Sequence, residues 1–230
     1  QDRVVELPSG GRVVVLDSSV PGAGYGHLED AQLDWLRGVL AEPAPGGAED
    51  GGAGRGTVLA IHHPPLVAAT PMLRALDLDG LDALAEVLEG SDVRIVLSGH
   101  YHHSFDGSIG AVPVHVVPGI TNVVDPLAAG REERSLALSG ASLIEINPES
   151  PLPAMRAADS SRDVQSAFSF GGRRDESAGD ADGFVAPRVV TSVWPNGGDT
   201  AGPDGGPDVT RPVYAFSSEQ VQQIIDTAGR

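Results

Sequence analysis

The sequence predicts an α/β domain, in which short buried strands alternate with amphipathic helices. Two observations indicate this fold class. Continuous apolar runs of five or six residues recur along the first 150 positions, and segments with leucines at helical spacing separate them. The chain has 230 residues, 40% of them hydrophobic, which is enough to build a core, and its lack of cysteine excludes disulfides and thiolate chemistry.

The first part of this alternation is a strand, a helix, a loop and a second strand. Arg12–Leu16 is a short apolar run that predicts the first strand. Leucines at helical spacing predict a helix over 28–40, which ends before Pro43 because proline cannot continue a helix. Residues 43–56 are rich in glycine and predict a flexible loop. Thr57–Ile61 predicts the next strand.

A second helix and three further strands follow. The helix is predicted over 79–89, with Asp79 as its N-cap and Gly90 as its C-terminal stop. Its predicted apolar face consists of Leu81, Leu84, Ala85 and Leu88. The further strands are predicted at Val93–Ser98, 112–117 and 141–146.

After Pro148 the composition changes. Residues 148–211 are crowded with Gly, Pro, Ser, Asp and Arg and predict a low-complexity, largely disordered segment, interrupted by apolar islands at 184–190 and 193–194. Residues 213–225 predict renewed order, with Ser217 or Ser218 capping a short helix. The expected domain organisation is 1–147, 148–211 and 212–230.

The charge balance restricts the partners. The 15 basic residues, all arginine, face 32 acidic ones, for a net charge of −17. No basic cluster exists that could neutralise phosphates, so neither a nucleic acid nor an anionic membrane is expected as a partner. No apolar run approaches the roughly 18 residues of a membrane span, and a cytoplasmic location is expected. A protein this acidic needs a local cation to handle an anionic substrate, and a metal ion would supply it.

Five of the seven histidines fall in two groups, and each group directly follows a predicted buried strand. The first lies in the sequence His62-His63-Pro64-Pro65, and the second in Gly99-His100-Tyr101-His102-His103. The carboxyl ends of strands in α/β sheets converge on a crevice, and neutral imidazole is the commonest metal ligand. A single histidine in such a loop is more often structural, but two groups at two strand ends favour a metal site.

These two groups carry a resemblance to a known family. Ile61 to Pro65 followed by Ser98 to His102 resembles the last two signature motifs of the calcineurin-like metallophosphoesterases, an HxP-type segment and a GHxH segment. Residues 16–22 and 32–36 are similar to the segment that precedes HHPP in the class III cyclic-nucleotide phosphodiesterase branch, and 214–229 resembles the C-terminal helix of that branch. The resemblance implies the C-terminal half of a four-layer α/β/β/α sandwich with a largely disordered tail.

The resemblance also implies a role for several side chains. His62 and His100 would bind one metal ion and His102 the other, with His63 supporting the ligands from outside the coordination sphere. His103 would be structural or at the rim of the pocket. The full family site holds two divalent or trivalent ions, and iron, manganese and zinc all suit such ligands. Two residues of the glycine-rich loop after Pro21 would contact substrate, namely Tyr25 and His27.

Three further motifs of the family are absent upstream of these histidines: Asp-x-His, Gly-Asp and Gly-Asn-His. The sequence begins with Gln1 rather than Met, and the resemblance places this residue just after the expected Gly-Asn-His. Half of the metal ligands and the histidine that assists the leaving group would therefore lie upstream of residue 1, and no catalytic residue is assigned within this chain.

Three interpretations remain open at this stage. The chain is the C-terminal part of a metal-dependent phosphoric diester hydrolase, with a 3',5'-cyclic nucleotide as the leading substrate, and is itself inactive. Alternatively, it is a non-catalytic binding or regulatory module that retains part of the fold. In the third interpretation, three histidines hold a single zinc ion with an open water position. The expected partner is a small phosphodiester or cyclic nucleotide, with a homodimer as an open question.

Overall fold

The computed structural model describes residues 1–8, 10–46, 55–128, 130–147, 186–195 and 212–228, and it has the expected α/β character. Its strands are β1 Arg3–Glu6, β2 Arg12–Leu16, β3 Thr57–Ile61, β4 Val93–Ser98, β5 Phe105–Ile109, β6 Val112–Val116, β7 Val123–Val124, β8 Glu133–Leu136, β9 Leu138–Glu145, β10 Arg188–Pro195 and β11 Pro212–Phe216. Its helices are α1 Asp30–Leu40, α2 Pro71–Arg74, α3 Leu81–Leu88 and α4 Ser218–Thr227. None of the helices in these ranges is both long and apolar enough to cross a bilayer.

A six-stranded sheet in the order β1-β2-β3-β4-β6-β5 forms the centre of the fold. Strands β2, β3, β4 and β6 are parallel, whereas β1 and β5 pair antiparallel at the two edges. The parallel strands bring their carboxyl ends to one edge of the sheet, where Leu16 pairs with Ile61 and Ser98 with Val116. The loops that follow these residues therefore meet in one region.

The two faces of this sheet differ in how well they are covered. Helices α1 and α3 pack on one face, where Val14, Leu59 and Leu36 are fully buried. On the other face Val15 and Ala60 remain half-buried. At its carboxyl end this second face opens into a cavity of about 430 Å³, whose apolar lining includes Val15, Ala60, Leu97 and Val117. The central sheet thus has one closed face and one open apolar face.

Two small sheets flank the central one. Strands β7, β8 and β11 form the first, and β9 with β10 forms a two-stranded ribbon. Helix α4 begins after Ser217, whose side chain accepts a hydrogen bond from the N–H of Gln220, so the predicted cap is confirmed. Helix α4 lies against α2 and buries Val221.

Two predictions need correction. The second helix begins at Leu81 with Gly80 as its N-cap at φ 76°, not with Asp79. The N–H of Asp79 donates instead to the carbonyl of Gly26 at 2.8 Å, and Leu78 forms a bridge with the same glycine. This pairing holds the chain extended until Gly80 turns it through the left-handed region, which glycine enters without strain.

The second correction concerns the segment 148–211. Arg188–Pro195 forms β10 and pairs along its whole length with β9, so one continuous strand joins the apolar islands at 184–190 and 193–194 that were expected to interrupt the disorder. The partner strand lies far away in the sequence, and composition alone does not reveal such a pairing. Residues 148–185 and 196–211 lie outside the described residues, as do 47–54 of the predicted loop.

Glu133 of β8 is a buried carboxyl group in an uncompensated position. Its side chain is 1% exposed, and neither carboxylate oxygen has a hydrogen-bond partner within the described part of the chain. Burial raises the pKa of Glu133, and the nearby Thr70 hydroxyl opposes that shift only in part. Burial also raises the pKa of Tyr214 on the adjacent strand β11, and the negative charge of Glu133 raises this pKa further.

We expect Glu133→Gln to raise the free energy of unfolding near neutral pH, because it removes the cost of burying an ionised carboxylate. The folded-state pKa of Glu133 lies above its unfolded value. The contribution of this carboxyl group to the stability of the folded state is therefore fully present at low pH. It is lost as the pH rises through the folded-state pKa. The gain in the variant should vanish below about pH 4, as measured by urea unfolding across pH.

The matched control is Glu132→Gln, which removes the charge of the exposed neighbouring residue. It should change the free energy of unfolding little and without this pH dependence. A loss of stability in Glu133→Gln at neutral pH would instead mean that the ionised carboxylate has a favourable partner.

Candidate metal centre

Three histidine rings converge at the carboxyl edge of the central sheet. Strands β3 and β4 are parallel neighbours, so the residues that follow Ile61 and Ser98 emerge side by side. The ring centroids of His62 and His100 lie 5.1 Å apart, and those of His63 and His100 lie 4.3 Å apart. Each ring offers a nitrogen within 4.8 Å of the others, and no carboxylate among the described residues joins the group.

His100 is held with one nitrogen ready for a ligand. Its Nε2 lies 3.0 Å from the carbonyl of Leu76, which can only accept, so Nε2 carries the hydrogen and Nδ1 carries the lone pair. Metal-binding histidines are commonly fixed by such a bond from the other ring nitrogen. The backbone of His100 is left-handed at φ 67°, a conformation that costs energy for any residue except glycine.

Electrostatics keep these rings neutral. Burial first, and then the nearby His63 and His62, lower the pKa of His100 to about 3. The His62 side chain is open to solvent on one side, but loss of water on its protein side is the largest cause of its lowered pKa, followed by the charge of His102. At neutral pH the rings of His62 and His100 therefore offer lone pairs rather than positive charge, which is the state that a metal ion requires.

His63 has both ring nitrogens engaged within the protein. Its Nε2 lies 3.2 Å from the carbonyl of Gly24 and must donate to it, so Nδ1 accepts from the Ser18 hydroxyl at 2.8 Å. The loop is also pressed against the ring, because a Cβ atom on Gly26 would lie 2.4 Å from its Cγ. This arrangement favours a supporting role for His63 over direct ligation.

His62 faces an open cavity. Its side chain is exposed and lines the 430 Å³ cavity together with Asp17 and Ser98. The Ser98 hydroxyl is buried, and no residue that the structure describes provides it with a hydrogen bond. The polar end of the open sheet face therefore lies beside the histidine group.

His102 lies close to the group but is oriented separately. Its Nδ1 lies 2.9 Å from Oδ1 of Asn122, and the same amide oxygen accepts from the Ser135 hydroxyl at 2.7 Å. Nδ1 therefore carries the hydrogen, and Nε2 is the lone-pair nitrogen. The backbone is again left-handed, at φ 54°. His102 is not among the three rings within 4.8 Å, although its charge acts on the pKa of both His62 and His100.

The remaining predicted residues lie elsewhere. Tyr25 and His27 line a different cavity of about 360 Å³, which shares no lining residue with the cavity at His62. His103 is buried and stacks on Tyr101, with ring centroids 6.0 Å apart. His115 is buried on β6.

Sequence reasoning missed the partners that orient these rings. Leu76 acts through its carbonyl, which any residue could supply, so no pattern could have revealed it. Ser18 is the second residue after a predicted strand, and that position was the available signal. Asn122 belongs to neither histidine motif. Its role arises because the folded chain brings it back beside His102, 20 residues earlier in the sequence.

Comparisons with known proteins point to one activity class. The chain is similar to a probable cyclic nucleotide phosphodiesterase of Rhodococcus erythropolis, with 39% identity over 149 residues, 64% of this chain and 46% of the relative. It is also similar to a cAMP/cGMP dual specificity phosphodiesterase of Mycobacterium tuberculosis, with 37% identity over 149 residues, 64% of this chain and 44% of the relative. A 3',5'-cyclic adenosine monophosphate phosphodiesterase of Pseudomonas aeruginosa matches at 34% identity over 108 residues, 46% of this chain and 36% of the relative.

The chain spans less than half the length of these relatives. No family model matches the chain.

We expect His62→Ala and His100→Ala each to weaken Zn²⁺ binding by at least about tenfold, because each removes a lone-pair nitrogen from the group. Isothermal titration of the metal-free protein with zinc chloride measures this. His27→Ala is the matched control, since it removes an exposed histidine that lies in the other cavity. Equal zinc affinity in all three variants would contradict a metal centre at these histidines.

Proposed function

We propose that this chain forms part of a metal-dependent phosphoric diester hydrolase that acts on 3',5'-cyclic nucleotides. One observation carries the proposal: the two histidine motifs meet at the carboxyl edge of the sheet, where His100 has one nitrogen preset for a ligand. The similarity to proteins named as cyclic nucleotide phosphodiesterases supports the substrate class.

The donor set fits divalent or trivalent ions such as iron, manganese or zinc, for which neutral imidazole nitrogens are suitable ligands. His62 and Nδ1 of His100 would hold one ion, and Nε2 of His102 would hold the second. Bound ions of this kind supply a water of lowered pKa and positive charge for phosphoryl oxygens. His63, fixed by Ser18 and Gly24, keeps the neighbouring rings in place.

The protein's own residues contribute orientation and electrostatics. The Leu76 carbonyl and the Asn122 amide oxygen set which ring nitrogen of His100 and His102 faces the ligand. The net charge of −17 repels a phosphodiester over most of the surface. Productive binding is thereby confined to the place where the neutral imidazoles can hold metal ions, which would supply the positive charge. Tyr25 and His27 contact the substrate only if it reaches beyond the histidine group, because they line a different cavity.

The ligand set on the described residues is incomplete, since it lacks the carboxylates that neutralise two metal ions. The open face of the central sheet is the place where a further layer would pack. We assign residues 1–147 and 212–230 to the C-terminal half of a four-layer α/β/β/α metallophosphoesterase sandwich. The missing layer covers Val15 and Ala60 and brings the remaining ligands and the leaving-group histidine. The isolated chain is therefore expected to turn over little substrate.

A second candidate is a non-catalytic binding or regulatory module. The absence of a carboxylate from the histidine group in the described residues favours it, because a site that binds one ion through neutral imidazoles does not need the carboxylates that two ions require. The open apolar face also suits a second copy of the chain, which would give a homodimer.

The test is hydrolysis of 3',5'-cAMP with Mn²⁺, measured for the chain alone and together with a separately expressed N-terminal half of the Rhodococcus relative. We expect little turnover by the chain alone and metal-dependent turnover by the mixture, which His100→Ala abolishes. Retained metal binding without turnover in any mixture would favour the binding module. Strong turnover by the chain alone, lost in His100→Ala, would contradict the incomplete site.

A further inference from the structure

A chain of four polar side chains connects the central sheet to the β9–β10 ribbon, away from the histidine group. The Thr191 hydroxyl lies 2.9 Å from Oγ of Ser142, which lies 2.8 Å from Nε2 of His115. Nδ1 of His115 in turn lies 2.7 Å from Oδ1 of Asp106. His115 is 1% exposed, whereas Asp106 lies at the surface.

The direction of these hydrogen bonds follows from the carboxylate. The carboxylate of Asp106 can only accept, so Nδ1 of His115 donates to it and Nε2 of the neutral ring must accept. Ser142 therefore donates to His115, and its oxygen accepts from Thr191. All three bonds are directed one way, from β10 through β9 and β6 to β5.

The ribbon also holds the loop that follows β6. The N–H of Gly140 donates to the carbonyl of Gly119 at 3.0 Å, and the Ser139 hydroxyl donates to the carbonyl of Ile120 at 2.6 Å. The fit is close, because a Cβ atom on Gly140 would lie 2.4 Å from Cγ of Pro118. The loop of residues 117–122 is therefore fixed by β9 from one side.

The other side of this loop lies against His102. A Cβ atom on Gly119 would lie 2.9 Å from Cγ and Nδ1 of the His102 ring. Asn122 accepts from Nδ1, and the N–H of Val124 donates to the carbonyl of His102 at 3.0 Å. The loop is thus enclosed between the ribbon and the ring of His102.

We infer that His115 and Ser142 are positioning residues for His102. They hold the ribbon on the sheet, the ribbon holds the 117–122 loop, and the loop fixes the rotation of the His102 ring through Gly119 and Asn122. The importance of this for catalysis rests on the proposed function, in which His102 is a metal ligand. The coupling to ring orientation does not depend on it.

Asp106, His115 and Ser142 also have the order and spacing of a nucleophilic triad. Two features argue against that role. Ser142 lies within β9 directly opposite Thr191 of β10, so a strand flanks it. Its oxygen also accepts a hydrogen bond from Thr191, which withdraws electron density from a nucleophile. The positioning role uses all four side chains, whereas a triad leaves Thr191 unexplained.

The first test follows the His102 ring by ¹⁵N–¹H correlation of histidine-labelled, metal-free full chain at about pH 8, where neutral rings report their tautomer. In the wild type we expect one protonated and one unprotonated nitrogen signal for His102. In Ser142→Ala these two signals should move toward each other as tautomers mix, while those of His62 and His100 stay in place. Ser142→Thr keeps the hydroxyl and should restore the wild-type signals.

Ser108→Ala on β5 is the control, because it removes an exposed hydroxyl from the same sheet. Thr191→Val provides a milder second variant and should shift the His102 signals in the same direction. Unchanged His102 signals in a folded Ser142→Ala protein would overturn the inference. So would a uniform shift of all histidine signals, which indicates a purely structural loss.

The second test separates this inference from the proposed function. Zinc titration of Ser142→Ala, mixed with the N-terminal half of the Rhodococcus relative that would supply the remaining ligands, should lower the affinity for the ion held by His102 at least about tenfold and leave the affinity at His62 and His100 unchanged. If the wild-type mixture binds no second ion but the His102 signals still move, the positioning role stands and the two-metal proposal fails. Labelling of Ser142 by a fluorophosphonate probe would overturn the inference in favour of a nucleophilic serine.

Discussion

The parallel pairing of β3 with β4 is the constraint on which the candidate site depends. The two strands are neighbours with the same direction, so the residues that follow them leave the sheet at one edge. His62 and His100 are 38 positions apart in the sequence, yet their rings lie 5.1 Å apart. The buried side chains of both strands hold this pairing by packing under α1 and α3. The site is therefore a consequence of core formation on the closed face of the sheet.

The orientation of the histidine rings depends on groups that are not themselves candidate metal ligands. A backbone carbonyl at Leu76 and an amide oxygen at Asn122 each accept a ring hydrogen, and the opposite nitrogens of His100 and His102 are left with lone pairs. Burial keeps the His100 ring neutral near pH 7, where its exposed counterpart would begin to take up protons. The left-handed backbone at both histidines indicates that their placement is maintained against a local conformational cost.

In the described part of the chain, one face of the central sheet is left uncovered. The open apolar face ends at His62, and Ser98 contributes a buried hydroxyl to that end. The three clustered imidazoles and the uncovered face beside them are the two features on which the proposed function relies. The polar group at Glu133, unpaired among the described residues, is a different case from Ser98. Its buried carboxyl group lies in the small sheet of β7, β8 and β11 and does not line the cavity at His62.

Local pattern was sufficient wherever a segment is stabilised by its own periodicity. Arg12–Leu16, Thr57–Ile61 and Val93–Ser98 are strands as predicted, and Ser217 caps its helix. The histidine motifs could likewise be recognised from residue order. Tertiary structure alone decided the rest, because the deciding partners are distant in sequence. The hydrogen bond from Asp79 to Gly26 keeps the chain extended, so that α3 begins only at Leu81. Pairing with β9 orders Arg188–Pro195. The path of the 117–122 loop places Asn122 beside His102. The sequence by itself thus determined which side chains could bind a metal, and the long-range packing determined which of their nitrogens are free to do so.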